Sequence, residues 1–139
     1  MPQQSVQQSS ARSSQNGRSL ELALAAARTA DENRGTDIVI LDTREVTPIF
    51  DYFVLATGTS RRQLHAISES IDDVLEKELG DRRLGIEGYD EASWILLDYG
   101  NVVVHIFTDE ARQYYDLEQL WCEAKTVPFD PQQRESLSA

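Results

Sequence analysis

The sequence predicts an α/β fold, a single-layer mixed sheet flanked by helices. Three observations carry this expectation. Short apolar runs of strand length alternate with longer segments of helical period, Gly and Pro punctuate the boundaries, and 139 residues suffice for one domain with its own core. A chain of this length buries roughly two-thirds of its unfolded surface, so neither metal nor disulfide staples are required.

Residues 1–18 are Gln, Ser and little else, with one Val and no aromatic residue. Such a segment cannot offset the entropy of ordering, and a disordered tail is expected. Its lack of acid beside two Arg resembles an organellar transit peptide, but the Gln content and missing apolar stripe argue against one. The domain proper is expected over 19–125, with a flexible C-terminal tail over 126–139. Ser19 is placed to cap a first helix in which Leu20, Ala23, Leu24 and Ala27 recur at helical spacing and Asn33-Arg34-Gly35 is the stop.

Asp37-Ile38-Val39-Ile40-Leu41-Asp42 reads as a buried strand, Thr47-Pro48 as a turn and Tyr52-Phe53-Val54-Leu55-Ala56-Thr57 as a second strand. Ser60 and Gln63 form a capping box for a helix with apolar stripe Leu64, Ile67, Ile71, Val74 and Leu75, ended by Gly80. After a Gly-containing connection, two apolar runs flank Gly100-Asn101 and predict a β-hairpin. A last helical region follows, broken at Asp116, which is placed to cap a final segment with Gln119. Cys122, the only cysteine, cannot form an internal disulfide and is expected to be a small packed residue.

The alternation of strand side chains sorts the hairpin into two faces. Ile95, Leu97, Tyr99, Val102, Val104 and Ile106 form one. Trp94, Leu96, Asp98, Val103, His105 and Phe107 form the other, too polar for a dry core and too aromatic for a wet surface. Tyr114, Tyr115 and Trp121 follow closely, and Tyr and Trp are favoured interface anchors.

Charge points the same way. The chain carries 13 basic and 24 acidic residues, a net of −11, and no Lys or Arg stands between Arg83 and Arg112, where Glu87, Asp90, Glu91, Asp98, Asp109 and Glu110 all fall. Phosphate backbones demand a basic footprint, so nucleic acid is excluded as the main contact and a basic protein partner fits better. No run approaches the roughly 18 apolar residues of a membrane span, and a soluble, cytoplasmic protein without membrane contact is expected.

Enzymatic readings are weaker. The Gly58-Thr59-Ser60 turn between strand and helix, with Arg61, could hold an anion on free N–H groups, but it is far short of a full phosphate loop. Asp98 and His105 share a hairpin face without being direct cross-strand neighbours, and a lone Asp–His pair is not a catalytic set. No catalytic residue, metal site or cofactor is assigned.

Four segments in order resemble one family: Asp51-Tyr52-Phe53-Val54-Leu55-Ala56-Thr57-Gly58-Thr59-Ser60, Trp94-Ile95-Leu96-Leu97-Asp98-Tyr99-Gly100, Val102-Val103-Val104-His105-Ile106-Phe107 and Tyr115-Asp116-Leu117-Glu118-Gln119-Leu120-Trp121. They are similar to the ribosomal silencing factor family, also called Iojap-like, over about residues 20–121. The resemblance implies a nucleotidyltransferase-like core without enzymatic activity. It further implies binding to the large ribosomal subunit at its fourteenth protein, a block on joining of the small subunit, and translational repression when nutrients are short. Its motif positions are Asp51, the Gly58 turn, Trp94, Asp98, Tyr99, His105, Tyr115 and Trp121, and partner binding is expected at Trp94, Leu96, Asp98, Tyr99, His105 and Tyr115. The chain departs from the pattern at Asn101, where an acid is more usual, and in its N-terminal tail. The runner-up is a nucleotide-binding or nucleotidyltransferase-type activity at Gly58-Thr59-Ser60. A homodimer that covers the aromatic face in the free protein is compatible with the main reading.

Overall fold

A computed structural model describes the backbone of residues 2–129 and the side chains from residue 17 onward. The elements are α1 (Pro2–Glu32), β1 (Thr36–Asp42), β2 (Tyr52–Gly58), α2 (Arg61–Asp73) extended by a π turn (Val74–Glu78), β3 (Gly85–Glu87), β4 (Trp94–Asp98), β5 (Val102–Thr108), α3 (Asp109–Tyr115), α4 (Leu117–Leu120) and β6 (Lys125–Val127). The strands form one mixed sheet in the order β3-β4-β5-β2-β1-β6, with β2 and β5 parallel at its centre and the other pairs antiparallel. The expected α/β architecture is therefore present.

Strand alternation divides the core in two. Ile40, Tyr52, Val54, Ala56, Ile95, Leu97, Val104 and Ile106 pack under α1 and α2, whose Ala23, Ala26, Ala30, Leu64, Ile67 and Ile71 are buried against them. The opposite face carries Leu41, Phe53, Leu55, Val103 and Phe107, covered among the described residues by the short α3–α4 segment, through Ala111 and Leu117, and by Phe50, Trp121 and Ala124. The hairpin register pairs Trp94 with Phe107, Leu96 with His105 and Asp98 with Val103, so the two faces divide as the alternation predicts. Gly100 sits at φ 90, the positive value that the first central position of such a two-residue turn requires.

Several local expectations are corrected. The first helix does not begin at Ser19, because α1 spans Pro2–Glu32 and places Ser19 inside it. Ser19 is buried inside α1 and its hydroxyl donates to Asp51 Oδ2 at 2.8 Å, tying helix to sheet. At α2, Ser60 Oγ accepts from Gln63 N at 3.1 Å, but the Gln63 side chain turns to Thr59 N and Oγ1 and does not close the reciprocal box.

Asp116 is left-handed at φ 48 and makes no side-chain cap. It ends α3 through its own N–H to the Arg112 carbonyl, because the left-handed backbone places the residue as a C-cap. Cys122 is exposed in the turn after α4, where no neighbouring element covers it. β6 pairs with β1 at 125–127, so that stretch is sheet and not free tail. Residues 130–139 of the expected C-terminal tail lie outside the described residues.

Candidate functional site

Trp94, Leu96 and Asp98 stand along one side of β4, half-buried on the thinly covered face. Beneath them His105 is buried on β5. The Trp94 indole N–H donates to His105 Nδ1 at 3.1 Å, which leaves the ring proton of neutral His105 on Nε2. Burial pushes the His105 pKa down to about 4, and Nε2 has no hydrogen-bond partner among the described residues. Phe53 meets the His105 ring edge-on at 5.1 Å and Phe107 stacks beside it at 6.0 Å. Trp94 stacks on Phe107 at 5.1 Å and meets Tyr115 of α3 at 4.6 Å. This is a continuous aromatic layer whose outer members, Trp94 and Tyr115, reach solvent.

The layer opens into a cleft of about 410 Å³ lined by Phe50, Phe53, Leu96 and Val103, with Glu87 and Asp98 at its edge. Asp98 also has a structural task, since its Oδ1 accepts from Gly100 N at 2.8 Å and braces the hairpin turn. Arg112, the basic residue nearest this face in sequence, is buried and paired with Glu118 at 3.0 Å. The surface therefore combines exposed apolar and aromatic groups with two acids, Glu87 and Asp98, a composition able to attract a basic partner. Phe50, Phe53 and Glu87 were not among the sequence candidates. The alternation of β2 places Phe53 with Leu55 on this face, whereas Phe50 lies in a loop without a periodic signal.

Two expected binding residues sit elsewhere or deeper. Tyr99 is buried on the opposite face, its hydroxyl donating to Asp72 Oδ1 at 3.0 Å. Burial first, then the charge of Asp72, hold its phenol far above the usual range. It is a core post linking the hairpin to α2, as the alternation assigned it. His105 supports Trp94 from below and presents little surface of its own. Trp94, Leu96, Asp98 and Tyr115 are brought together.

The Gly58-Thr59-Ser60-Arg61 turn is occupied by its own chain. Gln63 takes the Thr59 donors, Ser60 caps α2, and the Arg61 guanidinium donates to the Asp90 carbonyl. Glu91, Asp109 and Glu110 line the same depression, which sets negative charge where an anion would sit. Among the described residues no group of three or more His, Cys, Asp or Glu side chains gathers to hold a metal, and no helix is long and apolar enough to cross a membrane.

Comparison with known proteins gives a consistent result. Residues 16–139 match the profile of a family described as ribosomal silencing factor during starvation. The ribosomal silencing factor of Bacillus subtilis is 41% identical over 105 residues, covering 76% of this chain and 88% of that protein. The chloroplastic Iojap protein of Zea mays is 36% identical over 117 residues, covering 83% of this chain and 50% of its own longer length. Among solved structures, a crystal structure of a Chromobacterium violaceum protein superposes with a TM-score of 0.71 at 37% identity, covering 80% of this chain and 91% of that one.

Proposed function

Because the chain belongs to the ribosomal silencing factor family, a family of non-enzymatic ribosome-binding regulators, we propose that it docks its aromatic, acid-rimmed sheet face on a basic protein of the large ribosomal subunit. By the family resemblance this partner is the fourteenth large-subunit protein, and docking there blocks joining of the small subunit and represses translation under nutrient limitation in the cytoplasm. The observation that carries the reading is the half-covered sheet face itself. Trp94 and Tyr115 are paired at its surface, and the apolar cleft on the same face carries two acids, Glu87 and Asp98. Aromatic anchors that desolvate on docking set residence time, and rim charge sets encounter rate.

A free homodimer using the same face would compete with the ribosome for it. Co-sedimentation with purified subunits tests the partner, and small-subunit joining measured in vitro tests the block. Binding without inhibition of joining would retain the partner and remove the silencing mechanism. Absence of binding to the large subunit would remove both.

A further inference from the structure

Arg112 is unusual among the basic residues of this chain. It lies inside the molecule, on the sheet-facing side of a helix of seven residues, and its donors spread over three different elements. One guanidinium nitrogen donates both to the Asp37 carbonyl of β1 and, at 2.8 Å, to Thr57 Oγ1 of β2, while Nε meets Glu118 Oε1 of α4 at 3.0 Å. Both backbone sites joined by this residue are left-handed and non-glycine. Asp37 stands at φ 48 within an irregularity of the β1–β2 register, and Asp116, whose N–H bonds to the Arg112 carbonyl, stands at φ 48 between α3 and α4. Such conformations persist only where the surroundings over-determine them. A lysine could not reproduce the arrangement, because one ammonium lacks the planar fork that reaches several acceptors at once.

The next turn of α3 carries Tyr115, half-exposed and 4.6 Å from the Trp94 ring. Besides Arg112, the described side chains that fix α3 to the sheet are few: the Thr108 cap, and Ala111 in the apolar cluster. We propose that Arg112 is a positioning residue for the docking face, clamping α3 and α4 to the β1–β2 end of the sheet so that Tyr115 is held against Trp94 before any partner arrives. The inference rests on the proposed docking role of the Trp94–Tyr115 pair and adds how that pair is kept in place. Preorganisation of this kind removes an ordering cost from association and lengthens residence.

The test is a double-mutant cycle on binding to purified large ribosomal subunits, with Arg112→Met and Tyr115→Ala alone and together. Arg112→Met keeps an apolar stem and removes every donor. It is expected to speed dissociation about tenfold, and to add nothing once Tyr115 is already Ala. Losses that multiply in the double variant, or a folded Arg112→Met protein that dissociates like the parent, would overturn the assignment.

If Arg112→Met does not fold, Glu118→Ala takes its place, since Glu118 is partly exposed and its removal frees one arm of the clamp. A smaller increase in dissociation, equally masked by Tyr115→Ala, is expected, and its absence counts against the clamp. Fluorine NMR of 5-fluorotryptophan protein provides a readout without ribosomes. In the free clamp variant the Trp94 resonance should move toward its position in Tyr115→Ala, and an unmoved resonance refutes the positioning role even if the ribosomal partner is right. Failure of the parent to bind subunits, with the resonance still moving, instead condemns the docking reading and leaves the clamp standing.

Discussion

Trp94 donates its indole N–H to His105 Nδ1 at 3.1 Å, diagonally across the β4–β5 pair. The bond makes a surface anchor and a buried ring into one unit. It selects the tautomer of the histidine, and the histidine in turn fixes the indole plane.

Trp94→Phe should therefore release that tautomer. Nitrogen NMR of the imidazole should report Nε2–H in the parent and a mixture in the variant. The lost hydrogen bond should lower stability by about 1 kcal/mol. An unchanged imidazole spectrum would mean that the packing of Phe53 and Phe107 alone fixes the ring.

His105 also makes stability depend on pH. Its folded pKa, near 4, lies below the ordinary value of 6.5. The unfolded chain thus binds the additional proton first, and stability is complete above about pH 6.5 and falls as pH drops toward 4. Between pH 7 and pH 5 the loss attributable to this ring is on the order of 2 kcal/mol. Denaturant midpoints of the parent and of His105→Phe at both pH values check it. The variant should lose less, and parallel losses would show that other groups govern the acid limb.

Asp98→Asn separates the two tasks of Asp98. The amide oxygen can still accept from Gly100 N, so the turn should hold and the thermal midpoint should move little, while one rim charge disappears. Association with the large subunit should slow, most visibly at low salt where steering is strongest, with dissociation nearly unchanged. Asp98→Lys should slow it further. A variant that associates at the parental rate at low salt would exclude this acid from the rim.

Gly88 stands at φ 76, and a Cβ there would lie 2.1 Å from the Trp94 carbonyl oxygen. Gly88→Ala combines a disfavoured backbone with a collision against main chain, and a loss exceeding about 2 kcal/mol is expected by thermal or denaturant unfolding. A stability within about 0.5 kcal/mol of the parent would show that the β3–β4 connection rearranges freely.

Much of the architecture was legible because alternation is a strong physical code. The hairpin faces followed from period two alone, and the buried positions of α2 from period 3.6. β3 and β6 were not legible, since three residues carry no period and their pairing is set by distant strands. The candidate face was readable at Trp94, Leu96, Asp98 and Tyr115. Tyr99 was grouped with them by motif although its parity sends it to the other side. Arg112 enters the sequence reading only as the end of a stretch without Lys or Arg, and only tertiary placement reveals the Asp37 carbonyl and Thr57 hydroxyl that accept from it. Phe50 gave no signal, because a loop side chain joins a cleft only when the fold brings it there.

The parallel pairing of β2 with β5 has a further consequence for the proposed docking surface. Phe53, Val103 and His105 grow from the two central strands, which are flanked on both sides by further strands and are the parts of such a sheet slowest to open locally. Their amides should exchange with solvent only through global unfolding, while those of α4 exchange far sooner. The proposed docking on this face would then begin from a central-strand backbone already in its final shape.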